Sequence, residues 1–403
     1  MNVHDSYTYM REGLPHQEEQ ETNFEKKKLP ENFEQAADML VQEGNALMAR
    51  NHGPEGDQKV YHTLENHSGA PMQGRAKEIG DMLGLTPRQQ KVVAMAISWH
   101  DTAIEYDAPK EDNIVGMISR HRGARDTDRE TSQGKPSMGS KGNEAVSAEM
   151  MLEAMKRINN DTNQTIFTQE DMDIGKWAID ATFPKSDFGP DFKGVEFVSD
   201  PSYEEIAARN PAVVRTVAYL QEHGITKGPH FSQPHLEDPL LEEGREIPME
   251  VFTVAFSDLG AAGSAKVPEE FFTEGDNEGK ETYHNLRKSE NIKRLLDGNE
   301  PKDIEDRGKA SQALLGWLGS QAGFAMWQMI RFEKVMNAMV KNGQMTPERE
   351  QAARELLGRH EINIKACVDR VARAKAEYDQ KLSESGGDKA VFASIAKEMN
   401  FVS

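Results

Sequence analysis

Residues 92–101 read VVAMAISWHD: eight residues with one hydroxyl and no charge, followed by a histidine and an aspartate. An apolar run of this length is typical of a buried segment. Burial of an imidazole beside a carboxylate is unfavourable unless hydrogen bonds, an ion partner or a metal compensate for the lost solvation. His100 and Asp101 are therefore the first candidates for a functional site.

Helical patterns dominate the remainder of the chain. Residues 143–158 read NEAVSAEMMLEAMKRI and place apolar side chains at i, i+3, i+4 and i+7, which is one face of a helix. Nearly all of residues 309–382 also consists of helix-forming residues. Alternating strand patterns are scarce, and residues 194–198 are the best short candidate. The sequence thus predicts an all-α, mainly helical fold.

Composition limits the class of protein. The chain has 403 residues, a formal net charge of −20 and a single cysteine, Cys367. This acidic balance argues against general nucleic-acid binding and against binding to anionic membranes. One cysteine excludes an internal disulfide and indicates a reducing compartment. With no apolar run long enough to span a membrane and no signal-peptide core in residues 1–30, we expect a cytoplasmic protein.

Shifts in composition predict the organisation of the chain. Residues 1–30 are polar and acid-rich, and we expect a mobile arm. Residues 31–340 form the predicted main domain, interrupted by two irregular insertions at about 108–142 and 184–246, and residues 341–403 form a helical C-terminal extension. Loops of this length are typical of functional lids or mobile insertions.

Two further segments hold candidate metal ligands. The apolar residues 251–256 run into Ser257-Asp258, and residues 61–68 read YHTLENHS, with two histidines five residues apart. Adjacent His and Asp side chains on a helix point about 100° apart, so an ion near the helix end could contact both. A second histidine and a second carboxylate would complete a mixed N/O site, which suits Mn, Fe, Zn, Ni or Mg.

The order of these residues resembles the HD superfamily of metal-dependent phosphohydrolases. It is most similar to a branch of predicted phosphohydrolases with a Tyr-His…His, His-Asp, Asn-Glu-x-x-Ser-Ala pattern. Seven short motifs over roughly residues 55–340 carry the resemblance: Tyr61-His62, His67, Trp99-His100-Asp101, Tyr106-Asp107, Asn143-Glu144-x-x-Ser147-Ala148, Asp258-Leu259-Gly260 and Arg331-Phe332-Glu333. The resemblance implies an HD-like helical bundle.

The resemblance also implies roles for individual residues. His67, His100, Asp101 and Asp258 would bind one divalent ion, and Asp101 could bridge to a second, weaker one. His62 would donate a proton to the leaving group, although the roles of His62 and His67 could be exchanged. Their spacing of five turns the two rings apart on a regular helix, and a bulge or a helix that begins between them would restore convergence.

Three other residues have a functional and a structural interpretation. Glu144 is either close to the substrate or an acidic residue in the first turn of a helix. Arg120 and Arg122, in the first insertion, either hold a substrate phosphate or lie on a solvated loop.

The expected activity is hydrolysis of a phosphate ester, a nucleotide or another small phosphorylated metabolite, by a metal-activated water. One alternative is a non-catalytic HD-type scaffold that binds a nucleotide or a partner. The other is a di-iron oxygenase, which needs more histidine or carboxylate ligands than the sequence assigns. The oligomeric state has no signature in the sequence.

Overall fold

The computed structural model describes residues 29–53, 59–122, 143–183, 185–186, 194–241, 245–258, 260–383 and 387–402. The fold is mainly helical, as predicted. Among these residues, β-structure is limited to three antiparallel pairs of short strands. Residues 1–28 of the predicted N-terminal arm and residues 123–142 of the first predicted insertion lie outside the described ranges.

The His-Asp dipeptide follows a buried helix held between its neighbours. Helices α1 (Phe33–His52) and α2 (Ala70–Met82) both pack against α3 (Pro87–Trp99). Helix α3 begins with a capping box between Thr86 and Gln89 and has proline at its first position. The apolar residues near its C-terminal end are buried in the main core.

A second buried helix lies beside α3. Helices α4 (Asn143–Thr162) and α5 (Gln169–Asp180) pack on each other, and helix α9 (Met249–Asp258) packs against α2, α3 and α5. Residues 249–257 of α9 are all buried. The two apolar runs noted in the sequence are therefore neighbouring core helices, and the His-Asp dipeptide and Asp258 lie at their C-terminal ends.

Short strands and helices occur in the parts of the insertions that the structure describes. Strand β1 (Ile104–Asp107) pairs with β2 (Ser119–Arg122), and Asn285 donates to the carbonyls of Lys110 and Asn113 between them at 2.7 and 3.0 Å. In the second insertion the elements are β3 (Lys185–Ser186), β4 (Val195–Glu196), α6 (Tyr203–Arg209), α7 (Pro211–Glu222), β5 (Lys227–Gly228), β6 (Phe231–Ser232) and α8 (Pro234–Glu237). Strand β3 pairs with β6, and β4 with β5. The middle of this insertion is thus helical.

Five further α-helices follow among the residues that the structure describes, of which the last two lie in the predicted C-terminal extension. They are α10 (Pro268–Thr282), α11 (Ser289–Asp297), α12 (Pro301–Lys341), α13 (Pro347–Leu382) and α14 (Gly387–Glu398). Leu356, Leu357 and Ile364 of α13 lie in the same core as α3, whereas Phe392 of α14 lies in a smaller core with Leu314 of α12. Although α12 has 41 residues, no helix in the described part of the chain has the length and apolar character of a membrane span.

The contact between α1 and α3 depends on a glycine. A Cβ atom at Gly44 would lie 2.6 Å from the Ser98 carbonyl oxygen and 2.8 Å from the Trp99 ring. We expect Gly44→Val to lower the free energy of unfolding by about 1–3 kcal/mol, because the two helices must separate. Urea denaturation followed by circular dichroism measures the change.

Gly74→Ala is the matched control on α2, because no atom lies within 4 Å of its added Cβ. We expect it to raise the free energy of unfolding by about 0.5–1 kcal/mol through helix propensity. Equal stability of Gly44→Val and the parent would contradict the close approach of α1 and α3.

Candidate metal centre

The candidate centre lies where α3 ends. His100 is the C-cap residue of α3, and its Nδ1 lies 2.7 Å from the Ile97 carbonyl oxygen. Because a carbonyl only accepts, Nδ1 carries a proton and donates it. In the neutral imidazole the lone pair is therefore on Nε2, which faces Asp101. Metal-binding histidines are commonly oriented by this type of hydrogen bond to a backbone carbonyl.

A π-helical turn brings the upstream histidine to the same place. Thr63 caps a π-turn over Leu64–Ser68, which carries His67. His62 precedes this turn, and the centroids of the His62 and His67 rings are 5.7 Å apart. Either a bulge or a helix that begins between His62 and His67 could bring the two rings together. The structure has the second arrangement, because the π-turn begins at Leu64. Local π-helical geometry is frequent at functional sites.

Four predicted ligand side chains converge in this region. His100 Nε2 lies 2.9 Å from Asp101 Oδ2 and 3.3 Å from both His67 Nε2 and Asp258 Oδ1. His67 Nε2 lies 3.5 Å from Asp101 Oδ2 and 2.9 Å from Asp258 Oδ1. Two ligand atoms bound at about 2.0–2.2 Å from one ion are about 2.8–3.6 Å apart in tetrahedral or octahedral geometry. These five separations fall in that interval.

The four side chains are not equivalent. His67, His100 and Asp101 form a group in which all ligand atoms lie within 4.8 Å of one another, and Asp258 joins it through the two imidazoles. The side chain of Asp258 is 14% exposed, whereas those of His67 and His100 are 2% and 1% exposed. Asp258 thus forms the most open side of the cluster.

The donor atoms fit a cation. Asp101 Oδ2 is buried and has no hydrogen-bond donor among the described residues, although it lies 2.9 Å from His100 Nε2. With the His100 proton on Nδ1, these two atoms are both acceptors and repel each other. A cation between them, either a proton or a metal ion, removes that repulsion.

The pKa values of these groups indicate the same preference for positive charge. Burial lowers the pKa of His100, but Asp101 and Asp258 outweigh burial and hold that pKa well above its usual value. Burial raises the pKa of Asp258, but its contacts with the His100 and His67 imidazoles lower that pKa to about 2. Burial likewise raises the pKa of Asp101, but the neighbouring histidines bring it well below its usual value. The cluster therefore stabilises an additional positive charge.

A buried ion pair supports the Asp258 end of α9. Arg75 of α2 donates through Nη1 to the Ser257 carbonyl at 2.6 Å, and its other nitrogen pairs with Glu274 of α10. A Cβ atom at Gly260 would collide with both Arg75 and Glu274. The ion pair occupies the space that a side chain at position 260 would need, and this explains why residue 260 is a glycine.

His62 is oriented by a residue that sequence reasoning missed. Its Nδ1 lies 2.6 Å from Oε1 of Glu281, a fully buried residue of α10. The other oxygen, Oε2, accepts the backbone N–H groups of Val60, Tyr61 and His62 at 2.9–3.1 Å. Four donors thus hold one carboxylate. No motif marks Glu281 in the sequence, because it is one of several glutamates in a polar helix.

The Asn-Glu-x-x-Ser motif lies at the start of α4. Ser147 Oγ accepts from the backbone N–H of Ala103 at 3.1 Å, so α4 holds the segment that follows Asp101. Glu144 is buried in the first turn of α4, where the Asn143 amide is within 3.0 Å of its carboxylate when its nitrogen faces it. Glu144 is not a member of the ligand group.

The two arginines predicted to bind phosphate lie on strand β2, which pairs with a strand close after Asp101 in the chain. Tyr106 pairs with Arg120 and Ile104 pairs with Arg122 in the β1–β2 hairpin, which begins three residues after Asp101. The side chains of both arginines lie outside what the structure describes.

The last motif forms separate ion pairs. Arg331 Nε lies 2.7 Å from Glu237 Oε1, and Glu333 Oε1 lies 2.7 Å from Arg354 Nη1. Arg331 and Glu333 are buried, and each has a partner on another helix. Their role is therefore to join α12 to α8 and α13.

Comparison of the chain with models of protein families, with curated proteins and with solved structures found no match. The resemblance to the HD superfamily stays a prediction based on seven short motifs. The convergence of four of the residues named in those motifs is a property of the fold itself. It provides the basis for the functional proposal.

Loss of Arg75 tests the buried support. We expect Arg75→Leu to lower the free energy of unfolding by about 3–5 kcal/mol, because Glu274 is left buried without its partner. Urea denaturation of metal-free protein in chelator measures the loss. The double variant Arg75→Leu/Glu274→Leu should recover a large part of it.

Lys77→Ala is the control on the same helix. Lys77 pairs with Asp81, and both side chains are more than half exposed, at 68% and 52%. Such an exposed pair contributes little to the free energy of unfolding. Equal losses in Arg75→Leu and Lys77→Ala would show that the Arg75–Glu274 pair has no special structural role.

Proposed function

We propose that this chain is a metal-dependent phosphohydrolase of the HD type that cleaves a small phosphate ester. The observation that carries the proposal is the convergence of His67, His100 and Asp101, with their ligand atoms within 4.8 Å of one another and Asp258 in contact with both imidazoles. The orientation of His100, with Nδ1 donating to Ile97 and Nε2 facing a carboxylate oxygen, supports it further.

The donor set favours a divalent ion of the Mn, Fe, Zn, Ni or Mg group. Two neutral imidazoles and two carboxylates carry a charge of about −2, which matches such an ion. Cys367 is buried and donates toward the Leu318 carbonyl, so thiolate chemistry has no part in the centre. The chemistry that a divalent ion supplies at a site of this kind is activation of water for attack on phosphorus.

His62 is the proposed proton donor. Because Nδ1 is held by the Glu281 carboxylate, the proton that His62 exchanges is the one on Nε2. Glu281 also stabilises the charged imidazolium, which has to form before a proton is donated to the leaving alkoxide. In this proposal Asp101 and Asp258 bind the metal. His62, supported by Glu281, donates the proton.

The proposed substrate is a nucleotide or another small phosphorylated metabolite. The acidic balance of the chain, −20 in formal charge, opposes a long polyanion. A small phosphate ester needs only local positive charge. The β2 strand, which carries Arg120 and Arg122, runs beside the segment that follows Asp101 and is the proposed source of that charge.

Metal content tests the proposal directly. Elemental analysis of the purified parent should find about one equivalent or more of a divalent transition metal, and Asp101→Ala should lose it. Asp38→Ala, which removes an exposed carboxylate on α1, should keep the parent's content. A parent that binds no metal after reconstitution would overturn the proposal and leave a non-catalytic scaffold. A mixed-valent di-iron signal would favour the oxygenase.

Leaving-group dependence tests the proton donor. We expect His62→Gln to lower kcat about 10²–10⁴-fold on an alkyl phosphate ester, which needs protonation of its leaving group. The loss on a p-nitrophenyl ester should be much smaller, because that leaving group departs without a proton. Steady-state kinetics with both substrates and the best metal measures the difference.

His223→Gln is the control, because His223 is an exposed residue that contacts the Tyr219 carbonyl. It should have the kinetics of the parent. Loss of metal from His62→Gln, together with equal losses on both esters, would instead make His62 a ligand. The roles assigned to His62 and His67 would then be exchanged.

A further inference from the structure

Three buried or half-buried side chains hold the backbone that follows His100. Helix α3 ends at Trp99, so the carbonyls after it lack helical N–H partners. Three of these carbonyls accept from side chains near the end of α1: Asp101 from His52 Nε2 at 2.9 Å, Thr102 from Asn51 Nδ2 at 2.8 Å and Ile104 from Lys59 Nζ at 2.6 Å. The segment that carries Asp101 is therefore fixed on the side of α1.

The proton on His52 can be placed by its neighbours. Lys59 Nζ lies 2.9 Å from His52 Nδ1, and an ammonium group donates but never accepts. His52 Nδ1 must therefore accept, which leaves the imidazole neutral with its proton on Nε2. That proton is donated to the Asp101 carbonyl. His52 and Lys59 are only 2% and 6% exposed, so water does not compete effectively for these bonds.

We propose that His52 and Lys59 form a positioning pair for the metal ligand Asp101. Lys59 fixes the tautomer and the ring plane of His52, and His52 fixes the peptide of Asp101. On the opposite side, Ser147 accepts from Ala103 N–H at 3.1 Å, so the backbone has little freedom to shift. The pair rests on the proposed function, because it matters only if Asp101 binds a metal.

The pair acts on one of the two carboxylates. Asp258 is supported elsewhere, since Arg75 of α2 donates to the Ser257 carbonyl at 2.6 Å. Metal ligands must be held within about 0.5 Å of their productive positions. Loss of the hydrogen bond to the Asp101 carbonyl should therefore weaken metal binding by Asp101 and leave metal binding by Asp258 intact.

Mn²⁺ affinity, measured by electron paramagnetic resonance titration, tests the pair. We expect His52→Leu and Lys59→Met each to weaken Mn²⁺ binding about 10–100-fold, as loss of groups that orient metal ligands commonly does. His52→Gln should recover most of the affinity, because its amide offers a donor for Asp101 and an acceptor for Lys59. Arg50→Ala, an exposed neighbour on α1, should bind Mn²⁺ like the parent.

A double-mutant cycle separates positioning from general loosening of the fold. In an Asp101→Asn background, His52→Leu should change the Mn²⁺ affinity less than about 2-fold, whereas in an Asp258→Asn background it should keep its full effect. Equal effects in the two backgrounds would overturn the proposal. Circular dichroism checks folding, and if His52→Leu is unfolded, Lys59→Met replaces it in the same cycle.

The two proposals fail in different ways. If the parent binds Mn²⁺ and both single variants bind it with the parent's affinity, the positioning pair is wrong and the metal centre stands. If the parent binds no Mn²⁺ and no other divalent metal, the proposed function is wrong and the pair loses its role with it.

Discussion

The site depends on one hydrogen bond, from His100 Nδ1 to the Ile97 carbonyl at 2.7 Å. This bond uses the only proton of the neutral imidazole and turns the Nε2 lone pair toward Asp101 Oδ2, 2.9 Å away. Two acceptors at that distance are stable only with a cation between them. Because Ile97 lies in the last turn of α3, the orientation of His100 follows from the helix itself and requires no residue from elsewhere.

The remaining residues of the site are held by buried charges with partners. Arg75 with Glu274, Lys59 with His52, and Glu281 with His62 each join a polar group to the backbone or side chain of a site residue. Buried ion pairs contribute little net stability, because desolvation offsets their attraction. These pairs instead fix the positions of the side chains, because a buried charge is stable only beside its partner. This concentration of buried polar groups around one cluster supports the proposed metal centre.

The sequence predicts the mainly helical fold and the residues that meet, but not how they are held. The apolar runs before His100 and Asp258 identify two core helices, because burial requires apolar side chains on every face. The π-turn over Leu64–Ser68 has no such pattern, since its geometry depends on packing against α2 and α10. Glu281, Lys59 and His52 look like ordinary polar residues in the sequence. Their roles depend on contacts with residues that lie 7 to 219 positions away in the chain.

The direction of the helices adds a last argument for a cation. Both α3 and α9 point their C-terminal ends at the cluster, with His100 directly after one and Asp258 as the final residue of the other. The C-terminal end of a helix carries a partial negative charge of roughly half an electron, which attracts cations and repels anions. A phosphate group therefore has no favourable place against these two helix ends by itself. At the proposed site a phosphate group would be held through a cation, so the proposed metal binding and the proposed phosphate binding would depend on each other.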